Sequence, residues 1–301
     1  MSVTPSDESP EVLAAQLEAQ FEALQTEITA VAEEVLADTA TLDLSLEEVV
    51  LLAESAEIEV PAPIRSEVED AKMLPGWSHR LDAAGRGLAA RHFVDADGVP
   101  SEAVSQMLNL FDQPLIIGQI EFEFEQSVFE FHLCADEEVG GECVQLSSGL
   151  FRFSVFPVEQ FPGRLVVRSG LMARPHEEGS FTTPAEALVA ILGGPVEPEE
   201  QVRLLCDGGA ADEKMVARFV DAIASRISST SMTVLFSPSP DTIEGGSLSW
   251  IDGGLQGLWR IPDADEIDGD PKQALLIRAA TSEGILAEIE SYLTPSGEIA
   301  S

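Results

Sequence analysis

The hydrophobic spacing of this chain changes period at Leu115, and the same change recurs in its second half, which limits the folds open to it. From Leu115, LIIGQIEFEFEQ sets Ile120, Phe122 and Phe124 against Glu121, Glu123 and Glu125, the alternation of a half-buried strand. SVFEFHLC repeats it, an acidic Gly140–Gly141 loop is expected to divide it from CVQLSS, and LFRFSVFPV puts Phe151, Phe153 and Val155 on one face. Short connections between successive strands predict an antiparallel meander. Residues 162–172 read as helical again. The second half replays this order: a helix over 212–228 with Met215, Phe219, Ala222 and Ile223, then MTVLF, SLSWI, GLWRI and ALLIRAA, then an amphipathic helix over 283–293. No residue-level identity links the halves, so the repeat is one of architecture. The expectation is an α+β fold of two quasi-symmetric halves, roughly 66–174 and 185–294. Each is helix, four-stranded antiparallel meander, helix, and together they form a central sheet with a helical bundle. Between them residues 175–201, rich in Pro, Gly and Glu around AEALVAIL, read as a surface crossover.

Ahead of the first meander the spacing is helical. Ser45 with Glu48 three residues on is a capping box, and Leu46, Val49, Val50 and Ala53 make one apolar face. Pro61 and Pro63 end that run. A further stretch follows around Trp77, Leu81, Leu88 and Ala89, stopping at Asp95–Gly98, and another begins at Pro100–Ser101 with Val104, Met107, Leu108 and Phe111. At the front, Leu13, Leu17, Phe21, Leu24, Ile28, Val31 and Val35 recur at spacings of three and four. They predict an amphipathic helix over 10–38. Its outer face is Glu and Gln with no Lys to pair, so it either packs on a partner surface or stands as a solvated arm. Residues 1–40 therefore read as an acidic helical extension before a domain spanning 41–301.

Charge narrows the function. The first 70 residues hold 18 acids and one base, Arg65, and the chain carries 54 Asp and Glu against 16 Lys and Arg, a net charge of -38. That balance argues against nucleic acid and anionic lipid, both of which demand a positive surface. The apolar runs LIIG and ALLI fall far short of the roughly 20 residues of a membrane span. MSVTPSDESPEV has neither a basic nor an apolar segment, and three cysteines form no framework. A cytoplasmic protein is expected. His79, His92, His132 and His176 fall in no ligand spacing, and neither a G-x-S-x-G nor a Walker loop is present. His132 and Cys134 share a strand face without an Asp or Asn to complete a nucleophilic arrangement. No enzyme and no cofactor are expected. Asp263, Asp265, Asp268 and Asp270 are spaced either to converge on a cation or to form a solvated loop. The candidate protein-binding residues are Trp250, Ile251, Leu255 and Trp259, in or beside the Gly-rich SWIDGGLQGLW, with Phe236 of MTVLF. The other reading of both tryptophans is that they fill the core.

Three stretches carry a family resemblance: LSLEEVVLLAESAEIEVPAPI over 44–64, WSHRLDAAGRGLAARHFVDADGVPSEAVSQMLNLFDQPLIIGQIEF over 77–122, and GLFRFSVFPVEQFPGRLVV. Their layout, over roughly residues 42–294, resembles the EspG family, the secretion-associated chaperones of actinobacterial type VII (ESX) systems. The resemblance implies two quasi-symmetric halves around an antiparallel sheet and a cytosolic, non-enzymatic role. It also implies a partner, the apolar tip of a secreted PE–PPE heterodimer, which such proteins keep soluble and steer to export. The acidic helix lies before the family's usual start, and the short Gly140–Gly141 loop stands where family members carry a long connection. Two alternatives follow from the residues themselves. One is an acidic adaptor or immunity-type protein that neutralises a basic partner by charge, and the other is a calcium-dependent module built on residues 263–270.

Overall fold

A computed structural model describes residues 38–293, apart from residues 126, 194–195, 208–211, 240–241 and 264–272. The chain divides into two units, Met1–Ala37 and Asp38–Ser301, and all described residues belong to the second. The helix expected over 10–38 lies outside them but for its last residue, as do Asp265, Asp268 and Asp270.

The first half runs β1 (Ala40–Leu44), α1 (Leu46–Ala56), α2 (Arg65–Lys72), α3 (Trp77–Ala90), α4 (Glu102–Asp112), β2 (Ile116–Phe124), β3 (Ser127–Ala135), β4 (Val139–Gln145), β5 (Phe151–Pro157) and α5 (Phe161–Arg168). The second runs β6 (Ser180–Pro184), α6 (Ala185–Leu192), α7 (Pro198–Cys206), α8 (Glu213–Ala224), β7 (Ser228–Ser239), β8 (Thr242–Asp252), β9 (Leu258–Ile261), β10 (Ala274–Ala280) and α9 (Ser282–Leu293). All ten strands join one antiparallel sheet in the order β1-β5-β4-β3-β2-β7-β8-β9-β10-β6. The α+β fold and its two-fold repeat are as the periodicity predicts. From the β2–β7 seam outward, β2-β3-β4-β5-β1 on one side mirrors β7-β8-β9-β10-β6 on the other.

Each half also opens with a strand that the alternation did not reveal. β1 and β6 have only five residues each, pair solely with the last strand of their own meander, and close the two ends of the sheet. β6 and α6 lie inside the segment expected to be a crossover. A helix starts immediately after each of these strands. At α1, Ser45 Oγ accepts from the Glu48 amide at 3.3 Å while Ser45 N donates to Glu48 Oε2 at 2.9 Å. That satisfies two amide donors that a helix start leaves unpaired. With the strands as guide, a faint repeat emerges. Leu42, Val49 and Leu52 correspond to Phe181, Leu188 and Ile191, and all six are buried.

Gly140 and Gly141 do not form the expected loop. They lie within β4, opposite Ala135 and Cys134 of β3, and the turn is Asp136–Glu138. There Asp136 Oδ1 accepts from the amides of Glu138 and Val139 at 2.8 and 2.7 Å. Glycine is needed for closeness of approach: a Cβ on Gly140 would stand 2.1 Å from the Phe156 ring, and one on Gly141 would be 2.8 Å from Leu110.

Three apolar clusters hold the layers together. Phe161 and Leu165 of α5 and Ile285 and Ile289 of α9 pack on the middle of one sheet face, over Ile120, Leu133, Met232, Val234, Leu248 and Trp250. On the other face, α1, α3 and α4 cover Cys134, Cys143, Phe151 and Phe153 at one flank. At the far flank α6, α7 and α8 cover Ile251, Trp259, Leu275 and Ile277.

Charged groups are also buried within this packing. Arg164 of α5 is 0% exposed; it donates to Glu142 of β4 at 2.9 Å and to Asp38 at 2.8 Å, and its guanidinium lies 3.8 Å from the Phe156 ring centre. Arg168 adds a second donor set to Glu142, whose side chain is 2% exposed. A buried ion pair gives modest net stability but is costly to break on one side, because the remaining charge is stranded. Glu142→Ala is expected to lower unfolding free energy by about 3–5 kcal/mol in urea titrations. The double change Glu142→Leu with Arg164→Met should cost clearly less than Glu142→Ala alone.

Candidate functional site

Alternation along the central strands fixes what the open face of the sheet presents. Residues facing α5 and α9 are apolar, so their neighbours in sequence point the other way. On that second face the described helices cover only the flanks, and among the described residues the middle is a cleft of about 530 Å³. Gln119 and Glu121 of β2, Glu130 and His132 of β3, Ser229, Ser231 and Thr233 of β7 and Ser249 of β8 line it, with Ile261 and Pro262 at one rim. A smaller cleft of about 230 Å³ adjoins it and shares Glu130 and His132. Pro63, Ile64, Val128 and Phe129 line this one, with Glu67. The two make one groove with an apolar end and a polar middle.

The polar middle is organised by hydrogen bonds between adjacent strands. Thr233 and Ser247 hydroxyls lie 2.9 Å apart, Ser249 donates to Asp263 at 3.0 Å, and its hydroxyl lies 3.1 Å from that of Ser231. Ser229 donates to Glu123 at 2.9 Å, and Arg226 donates to the same carboxylate at 3.0 Å. Glu121 and Glu130 stand directly opposite each other in the β2–β3 register, and like charges so placed repel. His132 Nε2 is 3.8 Å from Glu130. Burial lowers the His132 pKa against the opposing pull of Glu130, so the ring is neutral near pH 7. Burial, helped by the Glu130 charge, raises that of Glu67.

The end of the β2–β3 hairpin is apolar on both faces, with Val128 on the groove side and Phe124 and Phe129 beside Phe122 on the side of α5 and α9. Phe124, Val128 and Phe129 reach solvent, and the Phe122 ring centre is 6.3 Å from those of both Phe124 and Phe129. Exposed aromatics beside acids suit contact with another protein.

The five residues expected to bind a partner are not gathered here. Trp250 is 1% exposed beneath α9, Trp259 is 0% exposed against Phe219 and Phe181, and Ile251 is buried with Trp259. In this fold these three are core, because Trp250 packs in the cluster under α5 and α9 and Ile251 and Trp259 in the cluster under α6, α7 and α8. Phe236 is half-buried at the end of β7, opposite Ile116. Leu255, in the turn between β8 and β9, is 77% exposed. Sequence reading missed the groove itself, although the serines of SSTSMT and SLSW on central strands were its signal.

The three cysteine thiols are held in their protonated form. Burial pushes the Cys143 thiol up to about 12, and raises Cys134 and Cys206 in the same direction, away from the thiolate that a nucleophile needs. Among the described residues, no group of three or more His, Cys, Asp or Glu is placed to hold a metal ion. Asp263 is bonded to Ser249 and lies 3.5 Å from Arg260. No described helix is long and apolar enough to cross a membrane.

No protein-family model matches this chain, and no curated protein matches it in sequence. Among solved structures it is similar to that of the Mycobacterium tuberculosis type VII secretion system chaperone EspG5 in complex with the PE25-PPE41 dimer. The match has a TM-score of 0.53 at 15% identity, and covers 86% of this chain and 98% of that one. The fold is therefore EspG-like.

The titration of His132 gives a testable consequence. Its native pKa lies below the ordinary 6.5, so the unfolded chain binds more protons in the window just below 6.5. Stability should therefore fall as pH drops through that window. Urea midpoints of the wild type measured from pH 7.5 to 5.5 are expected to decline more steeply than those of His132→Gln. Glu67 works in the opposite sense, because stability tied to its raised pKa is present below 4.5 and lost as pH rises. Glu67→Gln should therefore leave the His132 difference in place.

Proposed function

We propose that this protein is a cytoplasmic chaperone for a helical type VII secretion substrate, holding the substrate's end in the groove on the open face of the sheet. The observation that carries the reading is an EspG-like fold whose sheet face the described helices leave uncovered between two flanks, with exposed Val128 at one end of the cleft. The partner we infer is PE–PPE-like, a helical heterodimer whose apolar tip needs cover until export. Val128 and the half-buried Pro63 would take that tip, and exposed Leu255 offers a second contact. The chemistry is binding alone, with neither a reaction nor a cofactor.

The groove's carboxylates also favour a second reading, an acidic adaptor that neutralises a basic partner mainly by charge. The two differ in salt dependence, since exposed charges are screened within about 8 Å at physiological ionic strength, whereas burial of an apolar tip is not weakened by salt. Co-expression with PE–PPE pairs encoded beside type VII systems, followed by purification at low and high salt, separates them. A complex that survives high salt is expected, and Val128→Glu should weaken it at least tenfold without changing the circular dichroism spectrum. Loss of every partner in salt would favour the adaptor, and failure to bind any such pair would refute the chaperone.

A further inference from the structure

The apolar end accounts for only part of the groove, and its middle asks for a different chemistry. Glu121 and Glu130 oppose each other across β2 and β3, and the charge of Glu130 bears also on Glu67. Glu123 is engaged by Arg226 and Asp263 by Arg260. Of the residues lining the two clefts, His132 alone can become a cation beside Glu130, and it is neutral near pH 7. Its Nδ1 is buried with no hydrogen-bond partner among the described residues. With Nε2 carrying the proton toward Glu130, Nδ1 is left as an unsatisfied acceptor. The floor beyond is a hydroxyl ladder, which accepts as well as donates.

We propose that the groove selects a partner whose helical end carries a lysine or arginine just beyond its apolar tip, seated between Glu121 and Glu130. This rests on the chaperone reading above and adds to it the charge of the substrate's end. A cation there relieves the repulsion between the two carboxylates, which an apolar group would instead desolvate at a cost. Complementary charge of this kind sets partner choice more than overall affinity.

The test uses the full-length protein and two fluorophore-labelled synthetic helical peptides. They share one apolar face; one carries lysines next to its apolar end and the other carries glutamines there. Fluorescence anisotropy is expected to show the lysine peptide binding roughly tenfold tighter to the wild type. Glu121→Gln with Glu130→Gln should bring the two affinities together, leaving the glutamine peptide's affinity nearly unchanged. Glu121→Lys with Glu130→Lys should reverse the preference toward a glutamate-bearing peptide. Equal binding of both peptides to the wild type, or a lysine preference that survives in the Gln variant, would overturn the inference while leaving the chaperone reading intact. Failure of either peptide to bind would remove the groove as a docking face, and the inference with it.

Discussion

The antiparallel pairing of β2 with β7 is the constraint on which the rest of the molecule depends. Nine residue pairs, from Ile116 opposite Phe236 to Phe124 opposite Ser228, join the two halves into one sheet. Because these strands are central, neither can present an unpaired edge, and the helices of each half are pushed outward to the strands they follow or precede. Only α5 and α9, which come after the meanders, return to the middle, and both do so on the same face. Among the described residues the opposite face is thus open at the seam, and the groove is a product of how two similar halves meet.

Burial then decides which polar groups in this architecture are structural. Arg164 and Glu142 sit where α5 crosses β4, and Arg174 and Asp252 form a second buried pair at 2.8 Å, in which Asp252 also accepts from the Gly254 amide. Each carboxylate has more than one donor, the condition under which a buried charge is tolerated. Glu121 and Glu130 differ in kind: they are exposed and mutually repelling, so packing gives no reason for them. That contrast assigns the acids of the interior to the fold and sets those of the open face apart from it.

Much of this architecture was legible in the residues, and the failures have physical causes. The switch from 3.6-residue to two-residue spacing located both meanders and the helices around them, because one buried face leaves a regular mark. β1 and β6 escaped because five residues such as ATLDL or SFTTP offer too few alternations to stand out. Gly140–Gly141 misled because glycine marks two different things, a turn or a neighbour that comes too close, and here the neighbour is Phe156. SWIDGGLQGLW misled in the same manner: its glycines form the turn carrying Leu255, while its tryptophans face inward from the strands on either side. The groove was obscured because a strand with a hydroxyl face resembles a loop in composition. The resemblance to EspG proteins, read from layout, agrees with the fold of the solved EspG5 structure.

The two halves repeat each other in topology but not along the groove floor. β2 and β3 contribute carboxylates and an imidazole, whereas β7 and β8 contribute serines and a threonine. Were the floor as symmetric as the strand order, a rod-like guest could lie across it in either of two directions with equal energy. The chemical difference between the sides removes that degeneracy. An elongated guest entering the groove would be sorted by polarity as well as by shape, and its far end would project in one direction from the sheet.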